Sequence, residues 1–100
     1  MPEEKIQNKS NVKIEIPGDE SIVHYSNFVI VSHSPEEFVI DFAAILPGKE
    51  EAKVVSRIIM TPKNFKNFVM AINNNLQNYE RQFGEIHLSE SPKAVVKEVQ

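Results

Sequence analysis

The chain has 100 residues, of which 41% are hydrophobic and 25% charged, with a formal net charge of −3 at pH 7. That describes one small globular domain with a modest core, and the acidic balance argues against indiscriminate electrostatic binding to nucleic acid. The lack of cysteine excludes disulfides, thiolate metal sites and a cysteine nucleophile.

Residues 1–10 are polar and read as a flexible N-terminal segment. They lack the apolar stretch of a signal peptide, and no run of about 18 apolar residues follows. The cytoplasm is therefore the expected compartment. From residue 11 the pattern changes. Val12, Ile14 and Ile16 alternate with Lys13 and Glu15, the period of a short half-buried strand over residues 11–16. Pro17, Gly18 and Asp19 break it with turn chemistry.

Residues 22–33 read as a second strand. Positions 28–31 are apolar throughout, as in a strand covered on both faces. Ser34, Pro35 and Glu36 make a turn. Residues 38–46 form a third strand, ended by Pro47 and Gly48, and residues 52–60 a fourth. A hairpin closing around residues 47–51 sets Leu46 opposite Ala52 and Asp41 opposite Arg57. Phe38, Ile40, Phe42, Ala44 and Leu46 then share the more apolar face with Val54, Ser56, Ile58 and Met60, and that face is assigned to the helix. Val39, Asp41, Ala43 and Ile45 share the other with Val55, Arg57 and Ile59. A one-residue slip would exchange the faces.

That helix is the clearest element in the chain. Thr61 is a good N-cap and Pro62 suits the first helical position, where its missing N–H costs nothing. Phe65, Val69, Ile72, Leu76, Tyr79 and Phe83 follow in alternating steps of four and three, a heptad stripe. Gly84 supplies the stop. Asn73, Asn74 and Asn75 are weak helix formers, so burial of the stripe must hold the middle. A helix of this length overhangs a sheet of short strands, which leaves Tyr79 and Phe83 for another subunit. The expected architecture is α+β: a four-stranded antiparallel sheet in the order β-β-β-β-α, with one long amphipathic helix on one face. It forms a single domain over residues 11–88, followed by a C-terminal tail over residues 89–100.

Chemistry-bearing motifs are scarce. The three glycines are isolated, so no phosphate-binding loop is present, and no nucleophile elbow occurs. His24 and His33 fall near opposite ends of the second expected strand, roughly 30 Å apart, too far to share a metal. Glu36, Glu37, Glu50 and Glu51 sit at turns without the ligand pattern of a calcium loop. No catalytic, cofactor-binding or metal-binding residues are assigned, and no cofactor is expected. Asp41 and Arg57 are the exception to otherwise apolar strands. An opposite-charge cross-strand pair fixes register or lies at a subunit interface. The alternative role is an anchor for a polar or anionic ligand.

The run YSNFVIVSHSPEEFVIDFAAILPG and the run AKVVSRIIMTPKNFKNFVMAINNNLQNYERQFGEI carry a resemblance. Tyr25-Ser26-Asn27, the Phe38-Val39-Ile40-Asp41-Phe42 strand, the Arg57 to Pro62 junction and the Tyr79-Glu80-x-x-Phe83-Gly84 helix end resemble a family of small bacterial and archaeal proteins classed as a domain of unknown function. The resemblance spans about residues 12–87 and implies no catalytic residues. The architecture also looks like the positive-cofactor-four, Whirly and PUR-repeat group. That likeness implies helix-mediated pairing and single-stranded nucleic acid bound on a curved sheet.

Three functions compete on these grounds. The first is a non-enzymatic homo-oligomeric module, a dimer in its simplest form, with Tyr79, Phe83, Asp41 and Arg57 as candidate interface residues. The second is a single-stranded DNA- or RNA-binding module using Tyr25, Lys53, Arg57, Lys63 and Lys66. It needs stacking platforms beside a cationic groove, and the acidic balance weighs against it. The third is an enzyme or ligand sensor built on Asp41, Arg57 and a histidine.

Overall fold

The computed structural model describes residues 4–7, 12–88 and 94–96. Its elements in chain order are β1 (Glu4–Gln7), β2 (Lys13–Ile16), β3 (Phe28–His33), β4 (Phe38–Ala44), β5 (Lys53–Met60), α1 (Pro62–Phe83) and β6 (Ala94–Val96). The class is α+β, with an antiparallel sheet and one long C-terminal helix.

The antiparallel meander comprises β3, β4 and β5, and the first expected strand is not part of it. β2 pairs instead with β1 in a separate two-stranded sheet. The physical reason lies upstream of Lys13: β1 supplies the hydrogen-bonding partner that β2 would otherwise have sought in the main sheet. β6 runs parallel to β3 on its outer edge, making the strand order β5-β4-β3-β6. The remainder of the N-terminal segment and of the tail lies outside the described residues.

Turn chemistry shapes both hairpins. Between β3 and β4 the Ser34 N–H donates to Glu37 O at 2.9 Å and the Glu36 N–H to Ser34 Oγ at 3.3 Å. Between β4 and β5 the Lys49 N–H donates to Leu46 O at 3.0 Å, with Gly48 at φ 78°. Proline then glycine at positive φ is the type II pattern, and a side-chain-bearing residue at 48 would be strained.

The β4–β5 register matches the sequence expectation where it matters. Phe38 faces Met60, Ile40 faces Ile58, Asp41 faces Arg57 and Phe42 faces Ser56. A bulge between Phe42 and Ala43 then shifts the pairing by one residue, so Ala43 meets Val54 and Ala44 meets Lys53. Beyond the bulge the two-face alternation expected for Val54 and Val55 no longer applies.

β3 begins at Phe28, not at residue 22. Ser26 and Asn27 account for the difference. Ser26 Oγ donates to Ala43 O at 2.8 Å, and the Asn27 amide brackets Ile45, donating to its carbonyl at 2.9 Å and accepting from its N–H at 2.8 Å. Side chains thus occupy the backbone groups that a longer ladder would use, and they end β3 and β4 together. Upstream, Asp19 Oδ1 accepts from the Ser21 N–H at 3.0 Å and the Val23 N–H donates to Glu20 O at 3.0 Å, so the chain turns where strand was expected. His24 consequently lies in this connection rather than on β3.

α1 spans 22 residues, about 33 Å at 1.5 Å per residue. Thr61 caps it: its backbone is extended and its Oγ1 accepts from the Asn64 N–H at 3.3 Å. Pro62 opens the helix, and Gly84 at φ 98° closes it with its N–H donating to Glu80 O at 2.8 Å. The helix meets the expected sheet face only through its first turns. Phe65 stacks on Phe38 at a centroid distance of 4.0 Å, and Phe68 lies 6.1 Å from Phe65. Phe65 and Phe68 are half-buried, whereas Val69, Ile72, Leu76, Tyr79 and Phe83 are all exposed. The sheet face therefore receives one end of the helix, not its length. Among the described residues, the buried apolar side chains are Ile40 and Ala43 alone.

Candidate functional site

Two features stand apart from ordinary packing: a charged pair in the sheet and an apolar stripe on the helix. The pair sits at the centre of the β4–β5 ladder. Arg57 Nε donates to Asp41 Oδ1 at 2.7 Å and Nη2 to Oδ2 at 3.0 Å, a bidentate fork. Asp41 is buried at 8% exposure, while the Arg57 side chain is 63% exposed. The guanidinium holds the Asp41 carboxyl below the ordinary carboxylate range, against the opposing pull of desolvation. The carboxylate in turn raises the already high Arg57 value. Both oxygens of Asp41 accept from the one guanidinium, which joins β4 to β5 at this position and covers the buried carboxylate. His33 is turned to a different use, its ring 5.4 Å from that of Phe38, and it does not join the pair in a hydrogen bond.

The aromatic and cationic residues considered for nucleic acid fall at different places. Tyr25 is exposed just before β3, near Asn27 and the end of β4. Lys53 opens β5 beside the same end of the sheet, opposite Ala44. Lys63 and Lys66 are exposed in the first turns of α1, beyond the far end of β5. Along β5 the two ends are separated by roughly 23 Å at 3.3 Å per residue. Arg57 lies between them and is held by Asp41. No group of three or more histidine or acidic side chains among the described residues is arranged to hold a metal ion. No helix among them is long and apolar enough to cross a membrane.

The second feature is larger. The exposed stripe continues from Val69 through Ile72, Leu76 and Tyr79 to Phe83, where the last two rings lie 5.0 Å apart. An open depression of about 340 Å³ is lined by Val69, Ile72, Asn73 and Leu76. Those residues occupy positions i, i+3, i+4 and i+7, the outline of a hole that accepts a side chain from a neighbouring helix. The heptad spacing was visible in the sequence. The overhang expected at Tyr79 and Phe83 begins earlier, at Val69, and that was not visible, because periodicity reports an apolar face without reporting what lies against it. The Ser26 and Asn27 clamp also escaped sequence reading, although Ser-Asn directly before an apolar run is the composition that competes with a backbone ladder.

Comparison with known proteins gives one match. The family model DUF3467, described as a protein of unknown function, matches residues 1–88. No curated protein and no solved structure matches the chain. The match extends from the N-terminal strand pair to the segment just beyond α1, and the chain belongs to the DUF3467 family.

Proposed function

We propose that this protein is a non-enzymatic homo-oligomeric interaction module of the cytoplasm, and that its working form is a dimer. One observation carries the reading: the apolar stripe of α1 lies open from Val69 to Phe83 while the buried apolar side chains among the described residues are Ile40 and Ala43. A contiguous apolar surface of this kind marks a place of association. So small a core also leaves little hydrophobic stabilisation to offset chain entropy, which a second copy would augment. Asp41 and Arg57 act within this module by fixing the sheet register that places the start of α1. Light scattering of the purified protein at tens of micromolar tests the proposal. A mass near twice 11.4 kDa is expected, and a monodisperse species at 11.4 kDa would overturn it.

The alternative is a single-stranded nucleic-acid-binding module. Its support is the exposed ring of Tyr25 together with the uncovered cations Lys63 and Lys66. The separation of Tyr25 and Lys53 from Lys63 and Lys66 makes it the weaker of the two, since a stacking ring and its phosphate contacts need to track one strand. Titration with labelled single-stranded DNA and RNA at two salt concentrations decides it. Binding that weakens steeply with salt would support it, and no binding at low salt would end it.

A further inference from the structure

The stripe on α1 has a register as well as a face. Resting on the dimer reading above, we propose that the second copy's α1 lies antiparallel along this one, about a two-fold axis at the level of Asn74. The open seam positions match across that axis: Val69 faces the second copy's Tyr79 and Ile72 its Leu76, while Phe83 reaches the level of the second copy's Phe65, whose ring is already stacked on Phe38 of its own chain. Sliding either helix by one heptad leaves part of the stripe without a partner at both ends.

Three features bear on this arrangement: the first fits pairing in either direction, and the other two favour antiparallel over parallel. The first is the hole outlined by Val69, Ile72, Asn73 and Leu76. In this register the side chain that meets Ile72, and so enters the hole, is the second copy's Leu76.

The second is charge. In an antiparallel pair, flanking positions on the same side of the seam face their own kind. Lys66 and Glu80 both occupy the flank that follows Phe65, Ile72 and Tyr79, and in this register Lys66 falls opposite the second copy's Glu80, twice by symmetry. Lys66 is exposed, and Asp41–Arg57 is the only ion pair among the described residues. Glu80 already accepts the Ile86 N–H on Oε2 at 2.9 Å, which leaves Oε1 for an ammonium. In a single helix both charges oppose the macrodipole: no acidic residue occupies the first turn, and Glu80 lies in the last. Antiparallel pairing sets each beside an opposite charge and an opposite dipole end. A parallel pair would set Glu80 against Asn75 and give Lys66 no acidic partner.

The third is the asparagine run. Asn73 and Asn75 flank the seam on its two sides, and each meets its own twin close to the axis. Weak helix formers in the middle of a long helix gain a role there, because side-chain amides pair with one another and fix orientation as an apolar residue would not.

The cysteine-free chain makes the test direct. Lys66→Cys and Glu80→Cys proteins are mixed, allowed to exchange and oxidised. A disulfide-linked heterodimer is expected. Val69→Cys alone is expected not to cross-link, since its twin lies about 15 Å away along the axis in this register. A Val69→Cys self-dimer would show parallel pairing and overturn the proposal. So would absence of the mixed cross-link in a preparation that light scattering shows to be dimeric; either result leaves the dimer reading standing. A monomeric wild type fails that reading instead. As a second measurement, Lys66→Glu is expected to raise the dimer dissociation constant about tenfold. Adding Glu80→Lys to it is expected to restore the wild-type value to within about threefold. Failure of the double variant to recover, with its helix content intact, would remove the Lys66–Glu80 contact.

Discussion

The two ends of α1 occupy opposite situations. At its start, Thr61 caps the backbone, Phe65 stacks on Phe38 and Phe68 packs beside it, so the first turns are tied to the strands of their own chain. From Val69 onward the same apolar period continues, yet every side chain of the stripe is exposed. Sequence chemistry does not change along the helix; its surroundings do. The stripe continues past the sheet on which its first turns rest. The difference separates what the fold packs for itself from what the proposed second copy would cover.

Variants at the sheet end sharpen that separation. Ile40→Ala truncates the larger of the two buried apolar side chains among the described residues and is expected to cost about 2–5 kcal/mol, read by denaturant unfolding. Asn27→Ala frees both backbone groups of Ile45 at the end of β4, and a loss of about 1–3 kcal/mol is expected in the same measurement. Thr61→Ala removes the helix cap and is expected to cost about 1 kcal/mol, with Thr61→Ser close to wild type.

The smallest effect at neutral pH is expected from the Asp41–Arg57 pair, because solvent reaches most of the arginine. Its signature is a pH dependence. The native Asp41 carboxyl is held below its unfolded value, mainly by the hydrogen bonds from Arg57. The pair's contribution is therefore present above the unfolded value of about 3.9 and is lost as pH falls through the lower native one. Stability measured from pH 6 downward should decline in that acid window. Asp41→Asn should flatten the decline, and an unchanged acid limb would show that the pair does not contribute to it.

Much of this architecture was legible in the residues. Thr61, Pro62 and Gly84 announce the limits of α1, and the Pro47-Gly48 turn together with the apolar alternation sets Asp41 opposite Arg57. Three things were not legible, each for a physical reason. The bulge after Phe42 has no glycine to announce it and depends on how the two strands twist together. The late start of β3 depends on Ser26 and Asn27 reaching residues 17 and 18 positions away, which local propensity does not register. The separate pairing of β1 with β2 is a choice between competing partner strands, and a short alternating run fits either. The candidate interface was half legible for the same kind of reason: a heptad period names the face of a helix and leaves its partner open.

The contrast between the two ends of α1 is tested most directly by amide hydrogen exchange, resolved along the helix, for the wild type and for Leu76→Glu at the same concentration. In the wild type, amides over residues 69–83 should be protected to a degree comparable with β4. Leu76→Glu should remove most of that protection while lowering β4 far less. Fast exchange over residues 69–83 in the wild type, or protection there that Leu76→Glu leaves unchanged, would contradict the account.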